Sequence, residues 1–249
     1  MSVPAVQFQD VFKSYGRRPV LRGVEFAVEP GECCALVGVN GAGKTSLFNC
    51  LLDFCAVERG AIAIFGRPHT LPAARAALAF LPERFQPPYY LTGRDFLRYM
   101  LGLQGVAWRD DAIKAMLAAL DLEPGALARG ARHYSKGMTQ KLGLAACLLA
   151  DKALYVLDEP MSGLDPKARA LLKRQLRRVR SSGGAILFSS HALADVGEMA
   201  DRLAILHEGR IAFAGTPAAC AAQYGAADLE QAFLRCIGAE PEPALEPIL

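Results

Sequence analysis

Gly38-Val39-Asn40-Gly41-Ala42-Gly43-Lys44-Thr45-Ser46 follows Cys33-Cys34-Ala35-Leu36-Val37, an apolar run that reads as a buried strand. It precedes Leu47 to Leu52, which reads as the start of a helix. The pattern G-x-x-x-x-G-K-[ST] carries meaning in this strand, Gly-rich loop, helix setting. Its physical demand is a curl of successive backbone N–H groups around a phosphate chain. Gly38, Gly41 and Gly43 permit the tight turn and close approach that a Cβ would obstruct. The helix beginning near Lys44 aims its unsatisfied N–H groups at the same anion. Lys44 is placed to reach the β/γ-phosphates and Thr45 to ligate Mg²⁺, while Asn40, Ala42 and Ser46 complete the phosphate loop. A nucleoside triphosphate is the ligand this loop predicts.

Composition narrows the class. A chain of 249 residues buries roughly 70–75% of its unfolded surface, which suits one α/β domain with an inserted smaller subdomain. A net charge of +3 is too small to imply nucleic acid, and the cluster Lys173, Arg174, Arg177, Arg178, Arg180 reads as the solvated face of a helix. Seven cysteines include no C-x-x-C pair and no zinc-like spacing with histidine. Their scatter favours a reducing compartment. The first thirteen residues show no secretory pattern, and the longest apolar runs, such as Leu142 to Ala150, stop well short of the ~20 residues a membrane span needs. A soluble protein is expected, with any membrane role supplied by a partner.

Along the chain, Val6–Phe12 and Val20–Val28 read as half-buried strands joined through the Tyr15–Pro19 turn, with Tyr15 exposed where its ring can stack on a base. Gly60–Phe65 and Ala77–Leu81 are further strands. From Glu83 the character changes: Phe85, Pro87, Pro88, Tyr89, Tyr90 and Leu91 form an aromatic, proline-rich loop expected to be exposed. Helical spacing follows over Gly93–Leu101, capped by Thr92, over Arg109–Leu120, and over Met138–Ala150. Residues 83 to about 150 therefore read as a helical insertion.

The α/β register resumes at Ala153-Leu154-Tyr155-Val156-Leu157-Asp158-Glu159, where paired acids follow an apolar strand. Ligands bind at that edge of open α/β sheets. Asp158 is a candidate Mg²⁺ ligand, and Glu159 a candidate to orient or deprotonate the attacking water. Asp165 and Pro166 open a helix as N-cap and first residue. His191 ends the strand Ala185–Ser189 and is placed to hydrogen-bond a γ-phosphate. A hairpin follows over Leu203–Phe213, then helices from Thr216 and over Leu229–Ile237. The last residues, 236–249, form a Pro/Glu-rich tail with a disordered composition.

The order of these motifs resembles the ATP-binding cassette family, specifically the nucleotide-binding subunit of an ABC transporter, over residues 4 to 235. The distinguishing segment is Tyr134-Ser135-Lys136-Gly137-Met138, similar to the family signature loop LSGGQ. Ser162-Gly163-Leu164-Asp165 resembles its D-loop, and His191 its switch histidine. The resemblance implies an α/β fold: a P-loop NTPase core of ABC type with an N-terminal antiparallel β subdomain and the helical insertion, together spanning residues 1–235. It further implies a head-to-tail homodimer or heterodimer with two ATP molecules, in which Ser135 and Gly137 contact the γ-phosphate bound opposite. In the same scheme Asp165 links the two sites, Tyr15 stacks on adenine, and Glu159 is the general base.

Two departures stand out. Lys136 and Met138 replace the usual Gly and Gln of the signature, Lys136 being expected to point to solvent. Glu83 occupies the position of the Q-loop glutamine, where it can still bind Mg²⁺; Gln86 is the alternative. The resemblance extends to single-domain subunits paired with ABC-2-type permeases, many of them exporters. It implies an ATPase peripheral to the cytoplasmic face of the inner or plasma membrane, contacting an integral membrane permease through residues 83–92, with no nucleic-acid partner. Other readings are a regulatory or weakly hydrolysing cassette in a heterodimer, and a non-transport ABC ATPase. A switch GTPase would need a guanine-reading N-K-x-D segment, and Asn40 and Asn49, the chain's two asparagines, lie in no such segment.

Overall fold

The structure is a computed structural model that describes residues 3–239. The distal part of the predicted Pro/Glu-rich tail, from residue 240 onward, lies outside the described residues. The elements follow in the order β1 (Val6–Tyr15), β2 (Arg18–Val28), β3 (Cys33–Val37), α1 (Lys44–Leu51), β4 (Arg59–Ile64), β5 (Arg67–Pro68), α2 (Pro72–Arg75) and β6 (Leu78–Leu81). After these come α3 (Gly93–Leu103), α4 (Asp110–Ala119), α5 (Lys136–Leu149), β7 (Leu154–Leu157), α6 (Pro166–Ser181), β8 (Ala185–Ser190) and α7 (Leu193–Met199). The last are β9 (Arg202–His207), β10 (Arg210–Gly215), α8 (Pro217–Gln223) and α9 (Leu229–Cys236).

Two sheets organise these elements. One is antiparallel, in the order β2-β1-β4-β5; the other runs β10-β9-β3-β8-β7-β6, with β9, β3, β8, β7 and β6 parallel and β10 antiparallel at the edge. Parallel strands need both faces covered, and here alternate residues divide between two cores. Cys33, Ala35 and Val37 of β3, Tyr155 and Leu157 of β7, and Ile186 and Phe188 of β8 pack with Leu97, Leu117 and Leu142 of the helices α3, α4 and α5. Cys34 and Leu36, Leu154 and Val156, and Ala185 and Leu187 face the other way, against Leu47 and Phe48 of α1 and Phe8 and Val24 of the antiparallel sheet. The period-2 alternation of a strand thus seats the helical layer on one side and α1 with the second sheet on the other.

Helix starts follow the expected caps. Thr92 Oγ1 accepts from Asp95 N (3.1 Å), Asp165 Oδ1 from Ala168 N (2.9 Å), and Thr216 Oγ1 from Ala219 N (3.1 Å). The Tyr15–Pro19 turn is shorter than its sequence reads: only Gly16 and Arg17 lie between β1 and β2, and Arg18 is already paired with Tyr15. The short elements β5 and α2 carry too few residues for any periodicity to signal them. Among the described residues no helix is long and apolar enough to cross a membrane.

Phe188 on central β8 is fully buried, so Phe188→Ala should lower unfolding free energy by about 3–5 kcal/mol. Urea denaturation followed by circular dichroism would read this; a loss below 1 kcal/mol, on the order of a surface change, would show that the core collapses around the cavity.

Candidate functional site

Register brings the chemistry to one edge. Leu81 pairs with Leu157, Leu157 with Phe188, and Val37 with Ser190, so β6, β7, β8 and β3 end at nearly one level. The residues that follow these ends are Glu83, Asp158-Glu159, His191 and the 38–46 loop. All contribute to a cleft of about 610 Å³, which Tyr15 and Ser46 flank.

The loop itself is tightly built. A Cβ on Gly38 would lie 2.5 Å from the Leu206 carbonyl oxygen, a backbone atom that cannot yield, and Gly43 holds φ 112° as the residue preceding α1. Gly43 supplies no capping side chain and no acid of the helix itself occupies the first turn of α1, which leaves its N-terminal end suited to an anion. Lys44 is buried; its Nζ donates to the carbonyls of Gly38 (2.6 Å) and Val39 (3.4 Å). Burial lowers its pKa, opposed by the negative charge of Glu159, Asp158 and Glu83.

The acid end is held by a residue the motifs did not reveal. Ser189 Oγ accepts from the Glu159 N–H (2.8 Å) and donates to Asp158 Oδ1 (2.5 Å), while Asp158 Oδ2 accepts from Thr45 Oγ1 (3.1 Å). Burial raises the Asp158 pKa, and its hydrogen bonds to Ser189 and Thr45 oppose that rise. Glu159 sits at φ 50°, a left-handed conformation that L side chains rarely adopt and that costs on the order of 1–3 kcal/mol. Its Oε1 lies 2.9 Å from His191 Nδ1, and the His191 ring is largely exposed toward solvent. Thr45, Asp158 and Glu83 offer an oxygen-only donor set, the chemistry a hard cation such as Mg²⁺ prefers. A buried carboxylate opposite a phosphate-loop hydroxyl fits that ion.

With this geometry in place, the model of the family described as "ABC transporter" matches residues 21–162. The chain belongs to the ABC transporter family. It is 35% identical over 239 residues to the "Nod factor export ATP-binding protein I" of Paraburkholderia xenovorans (strain LB400), covering 94% of this chain and 78% of that protein. A solved "Structure of ATP binding subunit of ABC transporter" superposes with a TM-score of 0.86 at 31% identity, covering 93% of this chain and 99% of the other. The fold also matches a bacterial Atm1-family ABC exporter with ATP bound, with a TM-score of 0.81 at 22% identity, over 96% of this chain and 42% of that one.

As an ATP-binding subunit of the ABC transporter family, the chain divides its expected site residues into two groups. Tyr15, Asn40, Gly41, Gly43, Lys44, Thr45, Ser46, Glu83, Asp158, Glu159 and His191 line the cleft. Gly38 and Ala42, also in the loop, are buried and do not line the cleft. Glu83 lines it and Gln86 does not. Ser135, Gly137 and Asp165 stand outside it: Ser135 Oγ caps α5 by accepting from Met138 N (3.2 Å), and Asp165 caps α6.

Lys136 is exposed, but its stem lies along Gly163 in the 162–165 segment. A Cβ on Gly163 would meet Lys136 Cε at 2.8 Å and Cδ at 2.9 Å. The aliphatic part thus packs on backbone while the ammonium stays wet.

Phe85 departs from expectation. It is half-buried, 5.4 Å from the Phe96 ring, and packs on the helical core. The small residue Gly143 makes room for it, since a Cβ there would lie 2.7 Å from Phe85 Cδ1. Tyr89 and Tyr90 are exposed as expected, at 71% and 73%.

Arg18 and Arg84 also line the cleft. Their adjacency to the Tyr15 turn and to Glu83 was the available sequence signal. Ser189 had only the pairing Leu157↔Phe188, which sequence does not disclose.

Ser189→Ala leaves the buried Glu159 N–H without its acceptor and should destabilise the fold by about 1–3 kcal/mol. An unchanged urea midpoint would show that another group takes over the clamp.

Proposed function

We propose that this chain hydrolyses ATP to drive transport through a separate membrane permease. The observation that carries this reading is the convergence of Lys44, Thr45, Asp158, Glu159 and His191 on one cleft. In the proposed complex the 38–46 loop and the N-terminus of α1 wrap the phosphates, and Lys44 leaves its loop carbonyls for the β/γ-phosphates. Tyr15 packs against adenine. Thr45, Asp158 and Glu83 would hold Mg²⁺, which when bound neutralises phosphate charge. As the water oxygen attacks the γ-phosphorus and the bond to ADP breaks, Glu159 takes the water proton. His191 orients Glu159 from 2.9 Å and reaches the γ-phosphate.

Ser135, Gly137 and Asp165 serve the cleft of a second cassette in a head-to-tail homodimer or heterodimer; that they do not line the chain's own cleft supports this assignment. Residues 83–92 receive the permease, with Tyr89 and Tyr90 supplying aromatic contact area. Residues 1–235 act as the ATPase domain, with 83 to about 150 as its helical subdomain. The export function printed for the relative supports export as the direction; the proposed location is the cytoplasmic face of the inner or plasma membrane. The lysine stem over Gly163 favours one second reading, a weakly hydrolysing cassette within a heterodimer, because it loads a loop proposed to join the two sites.

Lys44→Ala should sharply weaken ATP binding in equilibrium titration; unchanged affinity would contradict the phosphate assignment. Glu159→Gln should retain binding and lower turnover by about 10²–10⁴-fold. The decisive assay is ATP turnover by the purified chain, alone and with its permease in lipid. Near-normal hydrolysis by Glu159→Gln would remove Glu159 from the general-base role.

A further inference from the structure

Two thiols stand behind the nucleotide cleft. Cys50 lies in the last turn of α1, fully buried, and Cys55 is partly exposed in the segment that follows. Their sulfurs are 3.5 Å apart, against about 2.05 Å for a disulfide. The backbone already doubles back to bring them together: Phe54 N and Cys55 N both donate to the Asn49 carbonyl, at 2.9 and 3.4 Å. Cys55 Sγ also lies 3.8 Å from the Tyr15 hydroxyl, and Tyr15 lines the cleft. The same helix carries Lys44 and Thr45 at one end and Cys50 near the other.

We propose that Cys50 and Cys55 form a reversible disulfide that weakens nucleotide binding by withdrawing Cys55 from Tyr15. The effect on affinity rests on the reading of Tyr15 as the adenine contact; the disulfide itself does not. The oxidant is a low-molecular-weight disulfide. The partly exposed Cys55, as thiolate, attacks one of its sulfurs, the external S–S bond breaks, and one small thiolate leaves to take up a proton. Cys50 then gives up its proton and attacks the Cys55 sulfur, expelling the second small thiol. Two protein thiols are oxidised and one external disulfide is reduced to two thiols. Burial pushes the Cys50 thiol up to about 12, so closure quickens with rising pH. Such a bond is of the transient, sensing kind found in reducing compartments. Its formation pulls the Cys55 sulfur toward α1 and takes from the Tyr15 hydroxyl one of its side-chain neighbours, leaving Ser46 beside it. Lys13, 5.3 Å from the ring centroid, stays on the Tyr15 ring.

The experiment treats the full chain with oxidised glutathione and measures ATP binding before and after, with dithiothreitol reversal. Cys50 and Cys55 share one tryptic peptide, because no Lys or Arg lies between Lys44 and Arg59. That peptide should lose the mass of two hydrogens, and cleavage before Asp53 should leave its halves joined. ATP affinity should fall by about two- to tenfold, the range for one aromatic contact, and recover on reduction. Cys50→Ala should retain a glutathione adduct on Cys55 instead of closing, and Cys55→Ser should take up no glutathione at this site. Absence of the Cys50–Cys55 link in folded protein, or a link with unchanged ATP affinity, would overturn the proposal. Reduced Tyr15→Ala separates the two readings. Wild-type affinity there would remove Tyr15 from the adenine contact, whether or not the disulfide forms.

Discussion

The parallel ladder through β3, β8, β7 and β6 fixes where each charged group of the cleft stands. Parallel pairing leaves no freedom of register once both faces are buried, because a slip of one residue would turn each strand's core side chains to the wrong layer. The sheet is buried on both faces, by α3, α4 and α5 on one side and by α1 and the antiparallel sheet on the other. With register fixed, the last strand residues end together, and whatever follows them meets at one edge. Lys44, Glu83, the Asp158-Glu159 pair and His191 come from four places in the chain and share a cleft for this reason.

The cleft keeps opposing charges in an environment that favours neither alone. Burial lowers the Lys44 ammonium and raises the Asp158 carboxyl, each shifted toward its neutral form. The same low-dielectric surroundings strengthen any interaction with a charged ligand. The chain compensates locally: Lys44 is satisfied by loop carbonyls and Asp158 by Thr45 and Ser189. A phosphate and its cation are proposed to replace these internal partners. Ser189 joins the acid pair to the neighbouring strand and supports the left-handed Glu159 backbone.

The loops outside the cleft pack on one another. Lys136 covers Gly163, and a Cβ on Gly137 would lie 3.2 Å from the Gly163 carbonyl oxygen, so the signature-like and D-loop-like segments form one surface. Ser135 and Asp165 each occupy an N-cap, where a side chain is oriented by the helix it starts. Caps on rigid helices hold a group in place for a second molecule better than loops do. The lysine at the signature position therefore changes the surface that the proposed dimer uses, without touching the chain's own cleft.

Local chemistry made much of this legible in sequence. Glycines at 38, 41 and 43 before Lys44, an apolar run ending in Asp158-Glu159, and caps at Thr92 and Asp165 each declare themselves within a few residues, since the forces involved are backbone sterics and nearest-turn hydrogen bonds. The choice of Glu83 over Gln86 as the cleft residue needed the end of β6 to be fixed. Ser189 was silent because its role depends on β7 and β8 being neighbours, and Phe85 was misjudged because the space left by Gly143 lies on a helix far along the chain. Cys50 and Cys55 are close in sequence, yet their proximity to Tyr15 arises from packing between α1 and the β1 end. Sequence determined the longer elements, the phosphate loop and the identity of the acidic pair. Tertiary structure decided which strands are adjacent and what each side chain meets, because those contacts join residues that no local rule relates.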